Sequence, residues 1–526
     1  MPQVFIPIAV AVTPYLTFFG LSSTAAAGIA ITVIETGASL LLSAGLSYAA
    51  SALQRTSYSD RGAMGKGANS VEIRLNTRQD VPPQRKIYGE VLVGGPLFFE
   101  ESKNPLYYQG FLLSEGPITE VMEVRNTQEI FRVHPVIFGQ AFEPFTNVEG
   151  RPLYVGRVKL CVRQGLIGQA IDPILAAAFP ALDPATFLQR GVATLVCEAH
   201  FGSDFDENEL LWGSSRRPNP IALIRGVPVY DPRNPRHVLP TDVDDPAEVE
   251  ACRLTWDWSN TAALVQADYL WDPKGGRIPI GSLDWDRIAR SADYDEGMIG
   301  TNEGPLIKRH TIDGVVTAGQ QPLQILQSML TANRGFIARS RGRVWVQSSQ
   351  PIDKPVITIT DDHIKGGIEL RRAQPKRSLL NRVRSRFIDP RQQWTTVDGP
   401  IRNRTDLQAL DGDIYQSTLD LPWTADHRRA QRIAEQMLRD SRLGRSIRMP
   451  LMVDTLGLDA GSVIRVDLSI YPRANGVYRL TEVQLSGSLD SIVITGAEYD
   501  PSIERDWNPE TDELPFELPD LVTGDV

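Results

Sequence analysis

Two short segments of this 526-residue chain have side chains at spacings close to those of ligand-binding loops. Residues 204–209 (DFDENE) begin like a calcium loop, because alternating carboxylates supply the oxygen ligands that Ca²⁺ prefers. However, Glu209 stands where that loop needs a glycine, and Ser215 stands where a bidentate glutamate should lie. Residues 61–70 (RGAMGKGANS) resemble a phosphate loop, but its first glycine is missing and Gly67 replaces the hydroxyl residue that would hold magnesium. Neither segment is predicted to bind an ion.

The cysteines and histidines indicate neither a disulfide framework nor a metal site. The three cysteines are an odd number without C-x-x-C spacing: Cys161, Cys197 and Cys252. The six histidines are scattered singly, with no pair at i, i+3 or i, i+4: His134, His200, His237, His310, His363 and His427. The sequence also contains no G-x-S-x-G elbow and no H-E-x-x-H helix. We therefore predict no catalytic residues, no cofactor and no metal.

Composition indicates a large globular protein of about three or four domains. The 37 prolines and 42 glycines favour a fold that is mainly β with α+β parts. The formal net charge of −10 gives no support for an electrostatic grip on nucleic acid. Of the 54 basic residues nine are lysine, which leaves 45 arginines. Arginine suits desolvated interfaces, but a GC-rich genome would produce the same bias along the whole chain.

The first 54 residues are unusual, because their only charge is Glu35. The stretch Ala25 to Leu53 is apolar and rich in Gly, Ala and Ser, and no basic region precedes it as a secretory signal would require. It is long enough to cross a bilayer, although its small polar residues weaken its hydrophobicity. Three copies packed around a symmetry axis would also bury such a small-residue face. A channel, axial or membrane location therefore stays open for this segment.

The remaining sequence divides into a linker, three folded regions and a tail. Residues 55–70 are a polar, glycine-rich linker, and 71–240 read as a β domain with short helices inserted at about 165–190. Residues 241–375 read as an α+β domain, and 376–500 as a second β domain that contains a helix over 424–442. Residues 501–526 hold eight acids, four prolines and one arginine, which predicts an extended tail or docking strand.

Several local patterns are specific enough to predict single elements. Residues 259–271 form a helix with a Ser-Asn cap, and SLDWDRIARSADY forms a second helix. PLQILQSMLTANRG places Leu323, Leu326 and Leu330 on one helical stripe and leads into a hairpin, FIARS-RG-RVWVQ. The helix within 424–442 should bury a face made of Ala430, Ile433, Ala434, Met437 and Leu438, with its arginines pointing outward.

At seven places, in order along the chain, the sequence resembles the tail-tip family that includes the host-specificity (tip attachment) protein of lambdoid phages and the baseplate hub proteins of contractile tails. The first places are RKIYGEVLVGGPLFF with GFLLSEGPITEVMEV, then VPVYDPRNPR, then WSNTAALVQADYLW, then RHTIDGVV with the helix and hairpin ending GRVWVQ. The later ones are LLNRVRSRFIDPRQQW, RRAQRIAEQMLRDSR, and GSVIRVDL with NGVYRL and AEYD. The family-motif positions that carry this resemblance are Tyr88, Gly89, Gly94, Gly95, Tyr230, Asp231, Pro232, Asn381, Asp389, Pro390, Gly476, Tyr478, Tyr499 and Asp500.

The resemblance implies a structural virion protein at the distal tail tip, assembled in the host cytoplasm, and not an enzyme. The implied fold is a multi-domain hub with two barrel-like β domains per subunit, which form a trimeric, pseudo-sixfold ring. This ring would adapt the sixfold tail tube to a threefold tip, close the tube and take part in channel opening for genome delivery. The implied partners are two further copies, the distal tail protein, other tail-tip proteins, the tape measure protein, and tail fibre or receptor-binding proteins.

The chain departs from the lambdoid proteins at its end, because those proteins continue far beyond the position of Val526 into receptor-binding modules. We therefore expect separate fibre or tip proteins to recognise the receptor, held by the segment from Asp500 onward. Two alternatives stay open: a membrane-anchored bacterial protein that uses Ala25 to Leu53 as its span, and a tail-associated cell-wall hydrolase. The sequence does not decide the host, the receptor, or whether the particle is a phage, a tailocin or a gene transfer agent.

Overall fold

A computed structural model describes most of the chain after residue 75. The described ranges are 76–79, 82–126, 129–133, 136–144, 154–183, 187–201, 205–212, 217–302, 304–373, 376–452, 455, 457–486, 490–504 and 507–516. Within them the fold is mainly β, with helices concentrated in the middle of the chain. The segment Ala25 to Leu53 and the linker 55–70 lie outside the described residues.

The first part of the fold consists of strands β1 to β10 and two short helices. Its strands are β1 (Arg85–Tyr88), β2 (Glu90–Val93), β3 (Leu97–Lys103), β4 (Leu106–Glu115), β5 (Glu120–Asn126), β6 (Glu129–Val133), β7 (Ala141–Phe142), β8 (Val158–Arg163), β9 (Val192–His200) and β10 (Pro220–Arg225). Its helices are α1 (Pro173–Ala178) and α2 (Phe205–Trp212).

Two open sheets share the first hydrophobic core. One has the strand order β2-β10-β5-β6 and the other β3-β4-β9-β8-β7. Alternating apolar residues on both sheets, such as Val91, Val124, Leu160 and Leu195, face this common core and are at most 5% exposed. Among the described residues no sheet closes on itself, so the barrel-like domains expected from the resemblance are open sheets instead. The unpaired sheet edges are what distinguishes this arrangement from a barrel.

The predicted helical insertion is only partly helical. Asp172 accepts a hydrogen bond from the Ile174 amide and, with Pro173 at the first helical position, begins α1 as the Asp-Pro pair predicts. Residues 187–190, by contrast, are irregular, so the second short helix expected near 190 is absent there. Helix α2 starts at Phe205, inside the segment 204–209 that begins like a calcium loop, and continues past that segment to Trp212.

The middle part is an α+β unit. Its helices are α3 (Pro246–Arg253), α4 (Ala262–Trp271), α5 (Trp285–Glu296) and α6 (Pro322–Leu330), and its strands are β11 (Met298–Ile299), β12 (Ile307–Lys308), β13 (Gly314–Thr317), β14 (Phe336–Ser340) and β15 (Arg343–Gln347). Every residue of α4 is buried, because α5, α6 and β15 pack around it. Strand β13 pairs with β1 in antiparallel register and thereby joins this unit to the first part.

Two local expectations for this unit are wrong. Thr261, not the Ser-Asn pair, precedes the first turn of α4, and it makes no side-chain cap. Leu326 and Leu330 are buried in α6 as predicted, but Leu323 is 40% exposed. Ile325 and Met329 complete the buried face of α6 instead. The hairpin is confirmed, since β14 and β15 pair from Phe336 to Gln347.

The last part contains two sheets and three helices. Its strands are β16 (Thr358–Ile359), β17 (Glu369–Arg371), β18 (Arg382–Asp389), β19 (Thr395–Asn403), β20 (Gln416–Leu421), β21 (Ser446–Met452), β22 (Val463–Val466), β23 (Gly476–Leu485) and β24 (Ser491–Glu498). Its helices are α7 (Thr405–Asp411), α8 (His427–Asp440) and α9 (Pro509–Asp512). The strand orders are β19-β18-β20 and β16-β22-β23-β24-β21-β17.

Helix α8 lies inside the predicted range 424–442 and packs on β18 and β19. Ala430, Ile433, Ala434 and Leu438 are buried as predicted, whereas Met437 is only partly buried. The expectation that its arginines point outward is wrong for Arg432, which is 3% exposed. The helix is buried on more than its apolar face because a later segment of the chain covers it.

That later segment is residues 500–516, named here the C-terminal strap. It was expected to be an extended tail or a docking strand, and in the structure it contains a 3-10 turn, Pro501–Glu504, and the short helix α9. Glu504 and Trp507 are 2% and 8% exposed, so the described strap is packed onto the body of the protein. Residues 517–526 lie outside the described part.

Candidate functional site

The candidate site is a buried polar junction where the middle unit, helix α8 and the C-terminal strap meet. It is named here the junction cluster, and its members are Tyr294, Asp295, His310, Arg334, Ser349, Arg432, Gln436, Asp440 and Glu504. These residues come from α5, from the loops after β12, α6 and β15, from α8 and from the strap. The cluster therefore joins segments that are far apart in the sequence.

His310 lies between an acid and a guanidinium. Its Nδ1 is 2.8 Å from Asp295 Oδ1, and Arg432 Nη1 lies 2.9 Å from its Nε2. Because a guanidinium can only donate, Nε2 must accept and Nδ1 must carry the proton. Burial, together with Arg432 and Arg309, holds the His310 pKa well below its usual value, so the ring is neutral.

Asp295 is fully buried and also accepts a hydrogen bond, 2.9 Å long, from the Ala263 amide at the start of α4. Burial raises its pKa to about 7, against the opposing effect of several hydrogen bonds. The carboxyl group therefore connects α5 to α4 and to the His310 ring at once. Its protonation near neutral pH makes it the titratable centre of the junction.

Glu504 brings the strap into the same cluster. Its carboxylate accepts hydrogen bonds from Arg334 Nη1 at 2.9 Å, from the Ser349 hydroxyl, and from Gln436 Nε2 at 3.2 Å. Although burial raises its pKa, the charges of Arg334 and Arg479 lower it overall, so Glu504 is ionised at neutral pH. A buried charge with three partners fixes the strap in one position.

The geometry argues against a catalytic role for the histidine. A His–Asp pair with a free Nε2 is the general base of many hydrolases. Here Arg432 occupies Nε2, and the His310 side chain is only 2% exposed. The pair is therefore placed to hold segments together and does not present a base to a substrate.

The strap makes further contacts along α8 after Glu504. Glu513 accepts a hydrogen bond from Arg428 Nε at 3.1 Å and from the Asn302 amide at 2.8 Å. The Leu514 amide donates to Gln431 Oε1 at 2.8 Å. The strap thus connects α8 to the middle unit at a second point.

The first two motif positions lie at the seam between the first part and the middle unit. The Tyr88 hydroxyl donates to Asp268 Oδ2 at 2.7 Å, and Arg253 binds the same carboxylate. Burial and the neighbouring Asp268 and Asp272 raise the Tyr88 pKa well above its usual value. Gly89 has a φ of +69°, and a Cβ there would lie 2.3 Å from the Ile312 carbonyl oxygen, so only glycine fits.

The next positions fix turns. The Gly94 carbonyl oxygen accepts a hydrogen bond, 2.8 Å long, from Arg85 Nη2. A Cβ on Gly95 would lie 2.3 Å from the Leu112 carbonyl oxygen. Pro232 follows Asp231 in a turn that the Asn234 amide closes onto the Asp231 carbonyl.

Asp231 and Tyr230 secure this turn to the middle unit. Both carboxylate oxygens of Asp231 accept hydrogen bonds from Arg233, from Nε at 2.8 Å and from Nη2 at 2.7 Å. Arg233 also donates a hydrogen bond to Glu296 on α5. These hydrogen bonds keep the Asp231 pKa low despite its partial burial. The Tyr230 ring packs edge-on against Trp285, with the ring centroids 4.8 Å apart.

Asn381, Asp389 and Pro390 organise the three-stranded sheet. Asn381 is fully buried; its amide nitrogen donates to Asp411 and to the Asp413 carbonyl, both at 2.8 Å, and its oxygen accepts from the Tyr415 amide. Asp389 caps the 3-10 turn that Pro390 begins. All of these interactions are internal to the protein.

The last positions lie near the strap. The Tyr478 hydroxyl donates to the Ala474 carbonyl at 2.9 Å, and Gly476 leaves room for Arg445. The Tyr499 hydroxyl accepts from the Ile352 amide at 2.9 Å, and Asp500 accepts from the Ser502 amide at the start of the strap. The motif positions therefore occupy several separate turns and seams, and their significance for a family stays a prediction.

Sequence reasoning missed the junction cluster. Its residues are scattered along the sequence, and Arg432 has the same helical context as the half-buried Arg428 and Arg429 near it. Within the described ranges, no group of three or more His, Cys, Asp or Glu residues is arranged to hold a metal ion. No helix in that part of the chain is both long and apolar enough for a transmembrane span.

Comparison with known proteins gives one family and one shared fold. Residues 321–483 match the model of a family described as "Putative phage tail protein". The chain has 19% identity to a chain of the virion of a native gene transfer agent particle, covering 93% of this chain and 98% of that one, with a TM-score of 0.57. No curated protein matches.

Two further solved structures are more distant. The 43 kDa tail protein of a Shewanella oneidensis prophage has 8% identity over 80% of this chain and 99% of that one, with a TM-score of 0.28. A prophage tail protein from Listeria monocytogenes has 7% identity over 76% and 86%, with a TM-score of 0.25. The family match and the fold shared with the virion chain support a structural phage tail protein.

Proposed function

We propose that this protein is the central hub at the distal tip of a phage-type tail. As a homotrimer it would close the tail tube, adapt the sixfold tube to a threefold tip, and hold fibre or receptor-binding proteins. The single observation that carries the proposal is the shared fold with a virion chain along nearly the whole length of both proteins. The match of residues 321–483 to a tail family supports a place in the tail.

The internal construction suits a part that transmits force. The β1–β13 pair joins the first part to the middle unit, and the junction cluster joins the middle unit to α8 and the strap. Buried ion pairs specify one arrangement more than they add stability, because desolvation offsets much of their attraction. A hub that must remain closed until adsorption benefits from such a single arrangement.

Imaging of intact tails tests the proposal. A peptide tag after residue 526 of the full chain, detected by labelled antibody in electron micrographs of purified particles, should lie at the distal tip. Reconstruction of that tip should show three copies. Labelling along the tube or at the head end, absence from tails, or six copies per particle would contradict the hub.

The segment Ala25 to Leu53 favours a second function, that of a membrane-anchored bacterial protein. Fractionation of the producing cells separates the two functions. An anchored protein stays with membranes after washing in high salt and is not recovered with particles, whereas a hub is recovered with tails. Deleting residues 1–54 from a hub should give tails that fail to assemble, retain DNA or infect.

A further inference from the structure

A small polar pocket lies between the middle unit and the six-stranded sheet, and none of its lining residues belongs to the junction cluster. It has a volume of about 200 Å³, below the roughly 300–1,000 Å³ of sites for drug-sized ligands. Its walls come from α5, from β15 and the residues after it, and from the loop before β22: Arg287, Arg290, Ser291, Trp345, Gln347, Gln350, Asp459 and Ser462. A group of only a few heavy atoms would fit.

The acceptors of this pocket are mostly occupied. Asp459 accepts from Arg287 Nη2 at 2.6 Å and from the Ser340 hydroxyl. Burial alone would raise the Asp459 pKa, but these two hydrogen bonds and the Arg287 charge lower it overall, so the carboxylate is ionised and already paired. Arg287 also stacks on Trp345, 4.0 Å from the ring centroid, and shields the indole from a ligand.

Three lining residues, in contrast, keep free donors: Arg290, Gln347 and Ser462. Gln347 Oε1 accepts from Trp345 Nε1 at 3.4 Å, and since an indole nitrogen only donates, this contact orients the Gln347 Nε2 donor away from the indole. Ser462 Oγ accepts from the Asp459 amide, which leaves its hydroxyl hydrogen available. Within the described part of the chain, Arg290 is exposed and has no hydrogen-bond or ion-pair partner.

We propose that this pocket binds a small oxyanion, a carboxylate or phosphate group, through Arg290, Gln347 and Ser462. An acceptor-rich, negatively charged group satisfies the free donors and offsets the unpaired Arg290 charge, whereas a cation or an apolar group would leave them unsatisfied. Because the walls belong to two parts of the fold, a bound anion would also stabilise their contact.

Inorganic phosphate and acetate are the probes. The full chain, in chloride buffer of constant ionic strength, is titrated with each anion while Tm and binding heat are recorded. We expect a saturable rise in Tm with at least one anion. Arg290→Gln should weaken the affinity at least tenfold, whereas Arg473→Gln, which alters another exposed arginine outside the pocket, should leave it unchanged.

A second variant tests the pocket independently of Arg290. Gln347→Glu keeps the acceptor for Trp345 and replaces the free donor with a negative charge, so it should abolish anion binding without unfolding the chain. The proposal is overturned if neither anion raises Tm beyond the chloride control, or if Arg290→Gln or Gln347→Glu binds as well as the wild type. A response to acetate alone or to phosphate alone supports it and identifies the preferred anion.

Discussion

The strap carboxylate Glu504 gives the sharpest test of the junction. Glu504→Gln keeps the size of the side chain and its ability to accept from Ser349, but it removes the charge that faces Arg334. Arg334 would then remain 15% exposed with only Asp440, 3.5 Å away, as an ionic partner. The substitution therefore leaves a largely buried cation with partial compensation.

The expected cost follows from that geometry. Removing one partner of a buried ion pair lowers the free energy of unfolding by about 3–5 kcal/mol. Because Asp440 still pairs with Arg334, we expect a loss of about 3 kcal/mol here. The pKa of Glu504 is lowered in the folded protein, so its stabilising effect is present above the unfolded value of about 4.3 and is lost as pH falls through the folded value. The difference between wild type and variant should therefore shrink in acid.

Hydrogen exchange and denaturant unfolding of the full chain measure the effect. In Glu504→Gln, amides of the strap and of α8 should exchange more than tenfold faster at pH 7, and the unfolding midpoint of the last part should fall. The exposed Glu510 of the same strap provides the control, and Glu510→Gln should behave as wild type. If Glu504→Gln lowered the free energy of unfolding by less than about 1 kcal/mol, or left amide exchange in the strap unchanged, the reasoning would be refuted.

Three further outcomes are expected. Burial raises the Asp295 pKa to about 7, so the free energy of unfolding should fall by about 3 kcal/mol from pH 5 to pH 8. Asp295→Asn should flatten this pH dependence. Equal pH profiles of Tm for the wild type and the variant would contradict this expectation. Gly89→Ala should cost at least about 2 kcal/mol more in denaturant unfolding than Gly412→Ala, because both glycines have positive φ but only Gly89 faces a clash; equal losses would remove that explanation. Ile470 and Tyr471 are 73% and 56% exposed on a loop whose Ser469 and Ile470 amides donate hydrogen bonds to Asp361. The double variant Ile470→Asp with Tyr471→Ser should shift Tm by less than about 2 °C, yet reduce incorporation of the protein into tails at least tenfold. Normal incorporation would exclude this loop as a contact with other tail proteins.

Local elements were predictable where one strong pattern dominates. Alternating residues around Arg341-Gly342 predict the hairpin, and the structure gives both residues positive φ, as a tight two-residue turn requires. The amphipathic pattern over 424–442 predicts α8 in the same way. Such patterns depend on neighbours within about two turns of the chain, which the sequence contains explicitly.

Failures occurred where distant segments decide the environment. Arg432 is buried because His310 and the strap cover one side of α8, and neither lies near it in the sequence. Leu323 is exposed because Ile325 and Met329 turn toward α4, which places the first turn of α6 at the surface. Periodicity identifies an apolar stripe, but the partner determines its exact position.

The sequence by itself determined the mainly β character, the principal helices and the hairpin, because backbone geometry and side-chain periodicity are local properties. Only the tertiary structure decided which sheets share a core, that these sheets stay open, and that the strap docks on α8. The junction cluster depends on the same long-range packing: Asp295, His310, Arg432 and Glu504 acquire their pKa values and partners only when burial brings them together.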